Sequence, residues 1–438
     1  MKPSVRHFAF AFAIILVGLA GRSAIDKLLA LAGGAERVAQ WAQVQSLVDM
    51  VQGAISVGLG QGVTVLVAQQ GDRSAQRLIF RSSMMIGGLI GSAVGLVLCF
   101  LVANGLAGGV WPHGIHLAVL ATAAGASGIA AALINAYWLG GHRQDRVLWL
   151  SAALMLPPVL AAGWGASMAS IVLAQLLAGL IVTGLVMIWL RRRVDGGKAG
   201  GMPGVAAFAR PKWRWSKIFV SCSLGHPLWR YVPVGLSIVL ASPLSQVLVR
   251  GEVSAALSWH DAGIVQAIWR SAEWVTLIMA GALSLVYLPR FSRVAGRSAE
   301  LARQMGGAAW RVLGVSGVLL LLLWLNQHRV LAMLYESRVV VSDSTIGLFL
   351  LGDWLRVASW IILFGLLALR ATWWVTIGEF FSLPLFAGLV MAFSDGMSLE
   401  RAGWLYLLTY AVYLLFNLIG MRVAWRGVLY PPVISASS

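Results

Sequence analysis

The sequence predicts an all-α, polytopic membrane protein with twelve transmembrane helices. These form two pseudo-symmetric six-helix lobes around a central cavity. Three observations carry that expectation. First, 59% of the 438 residues are hydrophobic and only 11% are charged, with a mean hydropathy of +0.82. Second, the apolar runs are continuous over the roughly 20 residues a helix needs to cross a bilayer. Helices satisfy their own backbone groups in lipid, whereas a membrane barrel reads as short alternating segments. Third, a basic, glycine-rich stretch near the middle has apolar runs before and after it.

Taken in order, the expected spans are 8–32, 38–68, 82–104, 115–138, 147–167, 169–190, 218–249, 260–288, 308–326, 345–369, 371–393 and 402–424. The basic start, Met1 to His7, resembles a signal peptide. Its apolar run is too long, however, and meets Arg22, Asp26 and Lys27 before any small-residue cleavage site, so it reads as a retained first helix. The second, seventh and eighth runs are long and are expected to tilt or kink. Pro227, Pro233 and Pro243 fall in the seventh, where each removes a backbone bond. Cys99 and Cys222 sit in apolar surroundings and read as packing residues.

The net charge of +17 reads as loop Lys and Arg on the cytoplasmic side. With the N-terminus inside, that side holds Arg73, Arg77 and Arg81, then Arg143 and Arg146, then the run from Arg191 to Lys217. It also holds Arg290, Arg293, Arg297, Arg303 and Arg311. The opposite side holds only Arg37, Arg250, Arg329, Arg338 and Arg401. Both termini are therefore expected in the cytoplasm. The expected domains are 1–193, a six-helix lobe; 194–217, a basic cytoplasmic linker; and 218–438, a second six-helix lobe. Lys212-Trp213-Arg214-Trp215 in the linker reads as an interfacial anchor. Sliding the second helix onto the eighth matches Val44 with Val265, Gln45 with Gln266, Gly60 with Gly281 and Val65 with Val286. Halves of equal orientation imply a parallel repeat, and such transporters bind substrate between repeats.

The most informative stretch runs from Trp259 to Arg293. Gln266, Arg270 and Glu273 lie there within a membrane-length run, on one helical face. Arg270 and Glu273 can pair directly. They read either as a packing lock or as the wall of a polar conduit. Arg22 and Asp26 on the first helix can also pair, as can Asp353 and Arg356 on the tenth. Asp49, Gln45 and Gln52 lie on the second helix, Arg230 on the seventh and Glu379 on the eleventh. Charged groups inside a membrane are costly and normally face a protein interior or a watery cavity. So many of them on different helices point to such a cavity. Lys27 and Arg250 occupy equivalent places in the two halves, each preceding its glutamine, Gln45 or Gln266. Either both snorkel to the outer head groups, or they hold an anion between them. Pyrophosphate suits the second reading, because Arg offers a donor fork and Lys a compact charge.

Nearly the whole chain resembles the Wzx-type flippases of the multidrug/oligosaccharidyl-lipid/polysaccharide exporter superfamily, above all those translocating O-antigen or enterobacterial common antigen units. The residues carrying the resemblance are Lys27-Leu28-Leu29-Ala30; Gly60-Gln61-Gly62-Val63-Thr64 with Val67-Ala68-Gln69; Arg250; Asp261 to Gln266; Tyr287-Leu288-Pro289 with Ser292-Arg293; Gly352-Asp353-Trp354-Leu355-Arg356; and Glu379. Arg22, Asp26 and Arg270 depart from that pattern. The resemblance implies alternating access in a V-shaped, two-lobe fold of a bacterial inner membrane. It implies an undecaprenyl-pyrophosphate-linked oligosaccharide as substrate, membrane lipids as surroundings, and a polysaccharide polymerase and chain-length proteins as partners. The expected substrate-binding residues are Lys27, Arg250, Arg22, Arg270, Arg356, Gln45 and Gln266. The carboxylates available for ion coupling are Asp49, Glu273, Asp353 and Glu379. No cofactor or metal is expected, and there is no P-loop for direct ATP hydrolysis. Two rivals remain. A membrane polymerase or ligase needs a substantial catalytic outer loop, and the longest here, 327–344, offers only His328, Arg329, Glu336, Arg338 and Asp343. A drug/cation antiporter of the same superfamily favours an acidic cavity, whereas this chain puts several cations there.

Overall fold

A computed structural model describes residues 3–56, 58–69, 73–104, 114–141, 143–195, 228–229, 232–295, 297–335, 341–369 and 371–429. The linker from 196 onward, Cys222, Pro227, Arg230, Glu336 and Arg338 fall outside them. The described residues are overwhelmingly helical and contain no strand, as the composition requires. Eight helices among them are long and apolar enough to cross a membrane. The described residues of the other four expected spans are helical too, with a break at Gly33 and Gly34 and two π-helical turns, and these helices carry Arg22, Asp26, Lys27, Asp49, Arg250, Arg270 and Glu273.

Helix α1 spans Pro3–Ser56 and folds back on itself at Gly33 and Gly34, where Gly34 takes φ 68°. A side chain rarely adopts that conformation, and glycine does so at no steric cost. It makes two antiparallel arms from one helix. The second arm is continued by α2 (Gly58–Gln69), followed by α3 (Arg73–Ala103), α4 (Ile115–Gly140), α5 (Gln144–Gly163) and α6 (Met168–Asp195). From Val232 on, the expected seventh span is α7 (Val232–Val239), a π-helical turn from Leu240 to Leu244, and α8 (Ser245–Ala256). Pro243 lies inside that turn, where its missing N–H breaks the α register. The eighth is α9 (Trp259–Ala282), a second π turn over Leu283–Tyr287, and α10 (Leu288–Val294). Pro289 sits in the first turn of α10, where it needs no hydrogen-bonding N–H. Then come α11 (Ser298–Leu325), the short α12 (Gln327–Leu334), α13 (Asp343–Ala368), α14 (Thr372–Phe380), α15 (Leu383–Ala392) and α16 (Leu399–Leu429).

By contacts the chain divides into two compact units. One comprises Leu16–Ile25 and Val44–Val239; the other comprises Met1–Ile15, Asp26–Gln43 and Leu240–Ser438. In the first, α4 packs against α2, α3 and α6. In the second, α13 and α16 lie along one another. Gly352 permits that approach, since a Cβ there would stand 2.5 Å from Tyr406 Cδ1. Phe349 and Phe386 enclose the same Tyr406 ring at 5.0 and 5.1 Å. The α1 hairpin tip, Asp26–Gln43, packs with the C-terminal chain, although the sequence places it in the first lobe. The outward faces of α3, α6 and α11 present Leu89, Leu96, Leu185 and Leu325, all exposed, as lipid contact requires.

Candidate functional site

The charged cluster of the C-terminal unit is built on α9. Ser258 caps this helix, accepting from the Asp261 N–H at 3.1 Å and donating to the Asp261 carboxylate at 2.5 Å. The first bond satisfies one orphan backbone donor at the helix start, and the second fixes the capping hydroxyl. Along α9, Gln266 and Arg270 are buried and Glu273 is half-buried, one face as the spacing predicts. At 1.5 Å per residue, Arg270 lies about 16 Å from the helix start, near the middle of a hydrocarbon core of about 30 Å.

Arg270 meets two carboxylates. Its Nε donates to Asp26 Oδ2 at 2.8 Å, and a terminal nitrogen donates to Glu273. The Asp26 and Arg270 side chains are 2% and 8% exposed, whereas Glu273 is 29% exposed, so the triad has one accessible member. The sequence suggested that Asp26 pairs with Arg22 on its own helix. Instead, Arg22 pairs with Asp49 at 3.3 Å, and Gln45 donates to the same carboxylate oxygen at 3.2 Å. The physical reason is orientation: an i,i+4 pair with the cation on the N-terminal side is the weaker arrangement, worth only a few tenths of a kcal/mol. Better partners displace it. The Arg22 and Asp49 side chains are 37% and 28% exposed, although both lie in a membrane-length helix.

Arg250 is 1% exposed. Its Nε donates to Gln43 Oε1 at 2.9 Å, one terminal nitrogen to Gln266 Oε1 at 2.8 Å, and the other to the Ala42 carbonyl at 3.2 Å. Gln43 in turn donates to the Val247 carbonyl at 3.0 Å. The guanidinium therefore ties the returning arm of α1 to α8 and α9. Lys27 engages a different set of acceptors. Its Nζ donates to the carbonyls of Tyr335 at 2.8 Å and Ala332 at 3.3 Å, capping the negative end of α12. Arg250→Lys should lower the melting temperature of the detergent-purified protein, because a single ammonium cannot reproduce a three-nitrogen fork. Each hydrogen bond to a charged group contributes about 1.5–3 kcal/mol. Unchanged melting would mean this bonding does not hold the hairpin.

A second cluster lies on α13 and α16. Asp353 accepts from the Tyr406 hydroxyl at 2.9 Å and stands 3.6 Å from Arg356. The Arg356 guanidinium lies over Trp360 at 4.8 Å and Tyr410 at 5.6 Å. Glu379 on α14 accepts from the Tyr413 hydroxyl at 3.4 Å. Tyr406, Tyr410 and Tyr413 recur at helical spacing on one buried face of α16. Sequence reasoning found the charges here and missed the tyrosines. A polar-tipped residue recurring on one face of an apolar helix was the available signal. Among the described residues, no group of His, Cys, Asp and Glu is arranged to hold a metal ion.

No family profile matches the chain. It is similar to the lipid III flippases of Escherichia coli (strain K12) and Shigella flexneri, 21% identical over 424 residues in each case, covering 94% of this chain and 96% of theirs. Among solved structures it is similar to a multidrug-resistance MATE-family transporter of the MOP superfamily in an inward-facing conformation. That match has a TM-score of 0.67 and 13% identity over 97% of this chain and 99% of the other. A MOP-superfamily transporter from Pyrococcus furiosus, described as having reversed binding-pocket polarity, matches with a TM-score of 0.67 and 14% identity over 98% and 96%. The all-α transporter fold that the sequence resemblance implies is borne out: the fold is that of these solved MOP-superfamily structures.

Proposed function

We propose that this chain, which has the fold of the MOP-superfamily transporters, is a flippase. It moves an undecaprenyl-pyrophosphate-linked oligosaccharide from the cytoplasmic to the periplasmic leaflet of a bacterial inner membrane by alternating access. The observation that carries this reading is the half-exposure of Arg22, Asp49 and Glu273 inside membrane-length helices. Ionised groups at that depth stay accessible only where water reaches them. Sugar and pyrophosphate need such a wet path, while the prenyl tail can stay in lipid. The lipid III flippase relatives support a lipid-linked substrate.

In this reading Arg22, Lys27, Arg250, Arg270 and Arg356 supply cations for the substrate, with Gln45 and Gln266 as neutral donors. Arg22 and Arg270 are the arginines already paired with an accessible carboxylate, so an incoming phosphate can replace a group of the same charge. Asp49, Glu273, Asp353 and Glu379 are the carboxylates available for ion coupling. Both termini lie in the cytoplasm. The polymerase and chain-length proteins act next on the delivered product.

Deleting the gene should abolish a surface glycan and leave its lipid-linked precursor on the cytoplasmic leaflet. An intact glycan profile, with heightened sensitivity to cationic drugs, would instead establish the antiporter reading.

A further inference from the structure

Arg290 and Arg293 on α10, Arg297 at the corner, and Arg303 and Arg311 on α11 are all exposed. The chain from Leu288 to Arg311 holds one carboxylate, Glu300, and Arg303 already takes it. The guanidinium groups of Arg293, Arg297 and Arg311 have no ion pair or hydrogen bond among the described residues. A loop arginine in water needs no partner, but Arg311 lies inside the span. Met305 to Leu325 is a run of 21 residues with no other charge, about the length that crosses the hydrocarbon core. Arg311 is six residues into it, roughly 9 Å along the axis. It is also on the outside of the helix. Leu301, Met305, Ala308, Val312, Ser316 and Leu320 form the buried face of α11. The other side carries Val318, Leu321, Leu325 and Trp310, the last 83% exposed. Arg303 and Trp310 are seven residues apart and share that side. An unpaired cation at such depth, on a surface facing lipid, either reaches out to the interface or draws an anion in.

We propose that the corner between α10 and α11 binds an anionic phospholipid of the surrounding membrane. Arg311 takes the phosphate with its fork of donors, and the arginines of the corner add charge around it. Trp310 meets the glycerol region, where amphipathic rings settle. The acyl chains then follow Val318, Leu321 and Leu325. Charge complementarity selects the occupant: a zwitterionic lipid would bring its ammonium against five cations and a single, occupied carboxylate. The site is on the outer surface of α11 and does not depend on the flippase reading.

The test uses the full-length protein in detergent, titrated with dioctanoyl phosphatidylglycerol or dioctanoyl phosphatidylcholine and followed by native mass spectrometry. Wild type should bind the glycerol lipid more tightly. Arg311→Gln should weaken that binding about tenfold, the scale of a hydrogen bond to a charged group, and leave the choline lipid unchanged. Arg311→Lys should keep part of the preference, since it retains the charge and loses the fork. Arg143→Gln removes an equal charge from another exposed arginine, at the start of α5, and should change nothing. Equal affinity of wild type for the two lipids would overturn the proposal. So would equal losses in Arg143→Gln and Arg311→Gln, which would assign the preference to net charge. A lower melting temperature of lipid-free Arg311→Gln would make the guanidinium a packing group and overturn it as well. If inorganic phosphate competes as well as unlabelled phosphatidylglycerol does, the site takes a free anion and the lipid assignment fails.

Discussion

Arg270→Ala should strip most of the protein from the membrane, and Glu273→Gln should not. Arg270 holds Asp26, whose side chain is 2% exposed. Removing the arginine leaves that carboxylate buried without its cation, and breaking a buried pair from one side costs about 3–5 kcal/mol. That is a large part of the 5–15 kcal/mol by which a typical fold is stable. Glu273 is 29% exposed, so neutralising it forfeits a partly hydrated contact and leaves Arg270 with Asp26. Its loss should appear in transport at normal abundance. The pair Asp26→Asn with Arg270→Gln removes both charges together, so abundance should recover while transport stays lost. Measuring membrane level and surface glycan in the four strains separates packing from transport. Wild-type abundance in Arg270→Ala would mean that Asp26 is not held as the geometry implies. Wild-type glycan in Glu273→Gln would remove its carboxylate from the mechanism.

Much of this arrangement was legible because the membrane simplifies the reading. Continuous apolar runs fix the helices, and the 3.6-residue period puts Gln266, Arg270 and Glu273 on one face without further information. Even the bends were readable where their cause is local, as with Pro243 inside the first π turn and Pro289 just beyond the second. Pairing was less legible, because a sequence displays only neighbours on the same helix. Asp26 has a cation four residues away and another far along the chain, and it takes the distant one. Arg250 was read as one half of an anion clamp with Lys27. Its bonding to Gln43, Gln266 and Ala42 depends on the fold-back of α1, which brings residues far apart in sequence to one guanidinium. Lys27 meets backbone carbonyls of α12, and no side-chain pattern encodes a carbonyl. The tyrosines were hidden for a different reason. In an apolar helix a Tyr reads as bulk, and only the packing of α13 on α16 turns the Tyr406 hydroxyl toward Asp353.

Gly263→Ala should be among the most damaging single-methyl changes in the chain. Gly263 lies one turn into α9, against the α1 hairpin just past its fold-back. A Cβ there would overlap the backbone carbonyl of Ala35 and come within 2.9 Å of its Cβ. The obstacle is main chain, so no rotamer change relieves it, and α1 must move away from α9. Overpacking of this kind costs about 1–3 kcal/mol and sometimes more. Here the shift also pulls on the contacts the hairpin carries, from Asp26 to Arg270 and from Ala42 and Gln43 to Arg250. The expected result is a marked drop in melting temperature and membrane abundance. Gly34→Ala should cost about 1–3 kcal/mol, because φ 68° with ψ −166° is a conformation essentially only glycine takes. Gly18→Ala should be silent or slightly stabilising, since nothing stands within 4 Å of its Cβ and alanine is the better helix former. Ala35→Gly should fail to rescue Gly263→Ala, because it removes the side chain and leaves the carbonyl in place. A Gly263→Ala protein that melts like wild type, or a full rescue by Ala35→Gly, would show that backbone contact does not hold the hairpin against α9.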